Sequence, residues 1–229
     1  MTYSSPTSYS RTQAAESSSG CLRRFLLPPL AVVLVSALLA FGLTRIDTAQ
    51  ASAPQISAQE NAKAAKKGLA PLFTPEVMAW EDKILAWSTV YQLDPNLVAT
   101  VMQIESCGYV DAESGSGAMG LFQVMPYHFQ EGEDPFLPEV NAFRGLKYLR
   151  QAQESGGGST RLTLAGYNGG INAARAAERY WAYETQRYVY WGLGIYRDAR
   201  SGLDYSPRLE EWLAAGGSGL CKLARQSQK

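Results

Sequence analysis

Residues 101–126 read VMQIESCGYVDAESGSGAMGLFQVMP. The stretch opens as an apolar helix, meets one carboxylate at Glu105, and turns into a Gly/Ser loop that ends in Leu121-Phe122-Gln123. Just upstream, Asp94-Pro95 has the form of a helix start, an N-cap acid followed by proline at the first helical position. Leu97, Val98, Val101, Met102 and Ile104 supply the apolar stripe of that helix. Gly108 is a helix stop, which places Glu105 in the last turn. Two effects then raise its pKa: the partial negative charge of the helix C-terminus and desolvation in a partly apolar pocket. A carboxylic acid held protonated near neutral pH can pass its proton to a leaving oxygen, which is what cleavage of a glycosidic bond requires. A lone glutamate at a helix end is ordinarily a solvated surface residue, so its neighbours decide the reading.

Outward from this seam the pattern stays helical. Thr74-Pro75-Glu76 reads as an N-cap, a proline at N1 and a first-turn acid, followed by Val77, Trp80, Ile84, Trp87 and Tyr91 at three-to-four spacing. Further helices are expected from about Glu139 to Glu154, over Arg161–Tyr167, over Asn172–Arg179 and over Glu184–Arg200, with a short one at Pro207–Ala214. Gly156-Gly157-Gly158 and Gly216-Gly217 read as loop punctuation. No period-two strand and no internal repeat stands out. The expected fold class is all-α, a compact helical domain over residues 72–229. Tyr190, Trp191 and Tyr196 are expected to pack in its core.

Residues 25–44, FLLPPLAVVLVSALLAFGLT, carry no charge and are bracketed by Arg24 and Arg45. At about 1.5 Å per residue such a helix spans roughly 30 Å, a bilayer core. Arg11, Arg23 and Arg24 precede the run, and the positive-inside rule leaves residues 1–24 as a cytoplasmic arm and exports everything after residue 45. The expected location is the extracytoplasmic face of a cytoplasmic membrane. A cleaved signal segment is the competing reading, with Ala49-Gln50-Ala51 as its site. Residues 45–71, rich in Ala, Gln, Ser and Lys, read as a flexible linker, and Lys63, Lys66 and Lys67 as its solvated charges.

Composition narrows the chemistry. The chain of 229 residues has 21 Lys+Arg against 21 Asp+Glu and no dense basic cluster, which argues against a nucleic-acid partner. Its single histidine, His128, excludes a His-rich zinc site, and any Ser-His-Asp triad would have to run through it. Cys21, Cys107 and Cys221 form no C-x-x-C pair.

In the loop after Glu105, Gly115, Gly117 and Gly120 permit close backbone approach to a ligand. Gln123 is a polar residue among apolar ones, and its amide needs partners, sugar hydroxyls among them. Glu105-Ser106, followed by Gly117-Ala118-Met119-Gly120-Leu121-Phe122-Gln123-Val124-Met125-Pro126, resembles the signature of the soluble lytic transglycosylases, relatives of goose-type lysozyme. Gly166-Tyr167-Asn168-Gly169-Gly170 is similar to that family's Ala-Tyr-Asn block, with Gly166 where alanine is usual. Glu184-Thr185-Gln186-Arg187-Tyr188-Val189 is similar to its Glu-Thr-x-x-Tyr-Val block. The three blocks keep the family's order over roughly residues 80–200.

The resemblance implies a lysozyme-like catalytic domain that cleaves the β-1,4 bond between N-acetylmuramic acid and N-acetylglucosamine in peptidoglycan glycan strands, leaving a 1,6-anhydro ring. Glu105 is then the general acid and base. Ser114 and Gln123 bond sugar substituents, Met125 lines the groove, Tyr167 orients Glu105, Asn168 holds backbone or sugar, and Tyr188 lies under the cleft. Glu184 is assigned a structural role, capping its helix or pairing with a base. No cofactor and no metal is indicated, and no D-x-[DN]-x-[DN]-G calcium loop occurs. Export permits disulfides, and Cys107 and Cys221 are the two cysteines outside, so a bridge between them is expected; two separate buried thiols are the alternative. Two rival functions stay open: a hydrolytic muramidase using Asp111, Glu113 or Asp134 to place a water, and a module that binds peptidoglycan without cutting it.

Overall fold

The computed structural model describes residues 68–228. The arm over 1–24, the expected membrane segment over 25–44, most of the linker and Cys21 lie outside the described residues. Among the described residues no helix is long and apolar enough to cross a membrane, and strand pairing is limited to isolated bridges, so the globular part is helical as expected. Its helices are α1 (Pro75–Met78), α2 (Glu81–Tyr91), α3 (Pro95–Glu105), α4 (Pro138–Ser155), α5 (Thr160–Gly169), α6 (Tyr183–Arg200), α7 (Pro207–Trp212) and α8 (Ser218–Ser227).

α3 is the axis of the domain. Asp94 caps it by accepting from Asn96 N–H at 2.9 Å, with Pro95 at the first helical position. All residues from Leu97 to Ile104 are buried, so the helix is wrapped on every side rather than amphipathic. α2 and α6 pack on it, and α5 lies between α4 and α6. Burying each Leu, Val or Met of this helix is worth about 1.5–3 kcal/mol, and this clamp fixes where its last residue, Glu105, comes to rest.

Several expectations need correction. The helix expected to run from Thr74 through Tyr91 breaks at Ala79-Trp80 into α1 and α2. Thr74 does not cap α1 with its side chain; its N–H and hydroxyl both donate to Gln103 Oε1 at 3.1 Å, because that amide is wholly buried and must be satisfied. The Asn172–Arg179 stretch forms two single 3₁₀ turns, Ala173–Arg175 and Glu178–Tyr180, instead of a helix. The chain also does not end its helical part near Ala214: one wide turn over Leu213–Gly217 leads into α8, with Gly216 at φ 124° absorbing the kink. The linker stops earlier than residue 71. Leu69, Ala70 and Leu72 are buried, and Leu69 N–H and Ala70 N–H donate to Glu81 and Asn96 side chains at 2.8 and 2.9 Å.

The expected bridge between Cys107 and Cys221 is present, with a Cα–Cα distance of 5.0 Å. It ties α8 to the turn that follows Glu105. The first-turn acid Glu76 is buried and reinforces the same joint: its Oε1 accepts from Arg225 Nε at 2.6 Å, and its backbone carbonyl accepts from Gln228 at 3.1 Å.

Candidate active site

The helix stop after Glu105 is abrupt. Ser106 leaves helical geometry at φ −140°, then Cys107 and Gly108 take φ 53° and 80°. A Cβ on Gly108 would meet the Glu76 carbonyl oxygen at 2.8 Å, so glycine alone fits there. Ser106 Oγ donates to the Leu121 carbonyl at 2.7 Å, pulling the Gly/Ser loop back against the helix end.

That loop is pinned from three more sides. Asn141 of α4, wholly buried, accepts from Phe122 N–H and donates to the Met119 and Pro135 carbonyls, all at 2.8 Å. Tyr167 of α5 donates its hydroxyl to the Phe122 carbonyl at 2.7 Å. Gln123 sits at φ 45° and donates its amide N–H groups to the Ala112 and Gly120 carbonyls at 3.1 and 3.0 Å. The amide singled out as a sugar ligand therefore spends its hydrogens on the loop, and its Oε1 is what remains for a ligand. Tyr167 likewise spends its hydroxyl hydrogen on the loop, close to Glu105 on the same groove wall. Asn141 was missed from the sequence; an asparagine inside an otherwise apolar helix face was the available signal.

The loop, α3, α4 and α5 enclose a groove of about 220 Å³. Glu105, Ser114, Gln123, Met125, Tyr167 and Asn168 all line it, so these site residues are brought together. Ser114 Oγ accepts from Ala118 N–H at 2.9 Å and lies 3.0 Å from Ser116 Oγ. Asn168 Oδ1 accepts from Thr185 Oγ1 at 2.8 Å, and its Nδ2 makes no hydrogen bond among the described residues. The groove also takes in an aromatic run absent from the expected site: Tyr127, His128 and Tyr148, with ring centroids 4.6 and 4.8 Å apart in succession. Burial and the nearby Arg144 charge lower the pKa of His128, which keeps it neutral.

A second cavity of about 320 Å³ adjoins the first, and Glu105, Asn168 and Glu184 belong to both. Tyr188 lines this second cavity and not the first. Its hydroxyl is buried, and no atom meets the distance and angle of a formed hydrogen bond with it. Glu184 is exposed, caps nothing and has no ion pair among the described residues. Its assigned structural role gives way to a place on the wall beside Glu105. Of the three aromatics expected in the core, Tyr196 is buried, Tyr190 is half exposed and Trp191 lines the second cavity. Asp111, Glu113 and Asp134 are exposed and line neither cavity.

Glu105 has its pKa pushed up from 4.5 to about 8. Burial is the leading cause, the Tyr188 hydroxyl pulls it down, and the Glu184 charge pushes it up again. The residue as a whole keeps some surface open to the groove, while its carboxyl is enclosed. The position at the helix end thus serves to deliver the acid into the cleft, and desolvation there supplies the shift. At neutral pH the side chain is mostly the neutral acid, able to give a proton to a ligand oxygen in the groove.

A helical domain whose central helix delivers one neutral glutamic acid to an open polar cleft has the parts of a general-acid catalyst. Residues 82–189 match the family described as "Transglycosylase SLT domain". A protein named "Transglycosylase" from Enterobacteria phage PRD1 is 37% identical over 113 residues, which cover 48% of this chain and 40% of that one. The chain thus spans about two fifths of the length of that relative. Among solved structures, an inactive mutant of the lytic transglycosylase Slt from Pseudomonas aeruginosa is similar over 61% of this chain and 24% of its own, at 22% identity and a TM-score of 0.39.

Proposed function

We propose that this chain is a lytic transglycosylase of peptidoglycan with Glu105 as its one acid and base. Glu105 gives its proton to the glycosidic oxygen between N-acetylmuramic acid and N-acetylglucosamine, and the bond from the muramoyl C1 to that oxygen breaks. The resulting carboxylate takes the proton of the C6 hydroxyl of the same muramoyl residue, and O6 closes on C1. Protons balance, no water is consumed, and Glu105 ends as it began. The observation that carries this reading is the enclosed Glu105 carboxyl, with its pKa near 8, on the wall of the groove. Because the attacking hydroxyl comes from the substrate, one carboxyl serves where most glycosidases use two. Action outside the cytoplasmic membrane, with residues 25–44 as the anchor, is part of the same proposal.

Hydrolysis is the second reading, and the carboxylate that favours it is Glu184, which shares both cavities with Glu105. Mass spectrometry of digested cell wall separates the two, since anhydro-muropeptides are one water lighter than reducing-end products. The expected result is anhydro product from wild type and none from Glu105→Gln, with glycan binding retained. Reducing-end product would overturn transglycosylation in favour of hydrolysis. Glycan retention without release by wild type would leave a binding module.

A further inference from the structure

The second cavity has a chemical character of its own. One helix face builds most of it: Glu184, Arg187, Tyr188 and Trp191 of α6 follow one another at i, i+3, i+4 and i+7. Trp212 of α7 closes the far side. The Tyr188 side chain is only 5% exposed, and its hydroxyl has no formed partner. Trp191 Nε1 is buried and unpartnered as well. Arg187 makes no hydrogen bond and no ion pair among the described residues; instead its guanidinium lies 4.5 Å over the Trp191 ring and 5.8 Å from the Tyr183 ring. Stacking holds the plane of an arginine while leaving its edge N–H groups free.

These groups are donors. An indole N–H and a guanidinium cannot accept, and a buried hydroxyl left without a partner costs about 1–3 kcal/mol. Unsatisfied donors at one cavity are explained if a ligand brings acceptors there. The nearest acceptor of the protein, Glu105, faces the Tyr188 hydroxyl, which lowers its pKa, and Glu184 is exposed at the lip, so the donors left over are Trp191 Nε1–H and the edge of Arg187. One cation, aromatic walls and spare N–H groups together suit a carboxylate on a short, partly apolar chain.

The cavity opens on Glu105, where the scissile bond would lie, so its ligand is a substituent of the sugar at that bond. Muramic acid is the glucosamine that carries such a group, a lactyl ether ending in a carboxyl that is either free or joined to a peptide with carboxylates of its own. We propose that this second cavity is a subsite for the carboxylate-bearing substituent of the muramoyl residue, with Arg187 as the anion contact and Trp191 Nε1–H as an additional donor. This rests on the peptidoglycan reading and adds to it the basis on which a muramoyl residue is told from a plain glucosamine.

The test is equilibrium binding to the Glu105→Gln protein, so that nothing is cleaved. Three probes are compared: a chitin oligosaccharide with no carboxylate, a glycan strand stripped of peptide by an amidase so that the lactyl carboxylate is free, and the peptide-bearing strand. If the lactyl carboxylate is the ligand, the stripped strand is expected to bind about tenfold more tightly than chitin oligosaccharide, and the peptide-bearing strand, whose lactyl carboxyl is tied up as an amide, no more tightly than chitin. Preference for the peptide-bearing strand alone assigns the contact to a peptide carboxylate, and either pattern supports the subsite. Adding Arg187→Gln should erase the preference and leave chitin binding as it was. Trp191→Phe, which keeps the ring under Arg187 and loses only the N–H, should erase part of it. Equal binding of all three probes overturns the subsite, as does an Arg187→Gln loss that is the same for every probe. Absence of binding to any glycan overturns the peptidoglycan reading itself, a result distinct from lost discrimination.

Discussion

Replacing Glu105 by glutamine should stabilise the protein, and by an amount that depends on pH. On folding, the carboxyl goes from an ordinary pKa of 4.5 to about 8. The folded protein therefore holds this proton more tightly than the unfolded chain does. The stability linked to that proton is complete below about 4.5 and is lost as pH rises through about 8. Each pH unit between those values moves the folding equilibrium about tenfold toward unfolding, on the order of 5 kcal/mol over the interval. That is an upper bound, since the residue retains some contact with the open groove. Glutamine has nearly the shape of the neutral acid and never ionises. Urea denaturation of both proteins, near pH 5 and again near pH 9, isolates the effect because every other titrating group cancels in the difference. Near pH 5 the two should agree within about 1 kcal/mol, and near pH 9 the variant should lead by about 2–5 kcal/mol. A difference that stays flat with pH would refute the enclosed, neutral Glu105 on which the proposed chemistry stands.

The remaining expectations concern the frame around that acid. Asn141→Ala strips partners from three buried backbone groups and should cost about 3 kcal/mol or more in urea denaturation, with activity falling as the loop loosens. Gly145→Ala places a Cβ 2.6 Å from that of Phe122 and 3.2 Å from the Tyr167 hydroxyl; overpacking of this kind should cost about 1–3 kcal/mol. Reduction should add two hydrogens to the mass of the intact protein. Paired Cys107→Ser and Cys221→Ser substitutions open a link across 114 residues of sequence and should lower stability by about 4–5 kcal/mol on chain-entropy grounds. Cleavage by wild type should fall as pH rises past about 8, as Glu105 loses the proton it donates.

What the sequence determined alone was the set of locally coded features. Asp94-Pro95 and Gly108 bound α3 through capping and a glycine-only turn, signals carried by residues within a few positions of the helix end, and so Glu105 could be placed in the last turn by inspection. The same local logic failed where two short turns replaced the helix expected over Asn172–Arg179, and where Gly216-Gly217 carried the chain on into α8 instead of stopping it. Tertiary structure decided which polar groups meet. Gln123 has its amide hydrogens bound to the loop, Tyr167 serves the Phe122 carbonyl, and Glu184 stands beside Glu105 instead of beside a base. Hydrogen-bond partners and desolvation depend on atoms brought together from α3, α4, α5 and α6, far apart along the chain. The position of the acid is thus written in the consecutive residues from Asp94 to Gly108, and its protonation only in the packing of the whole domain.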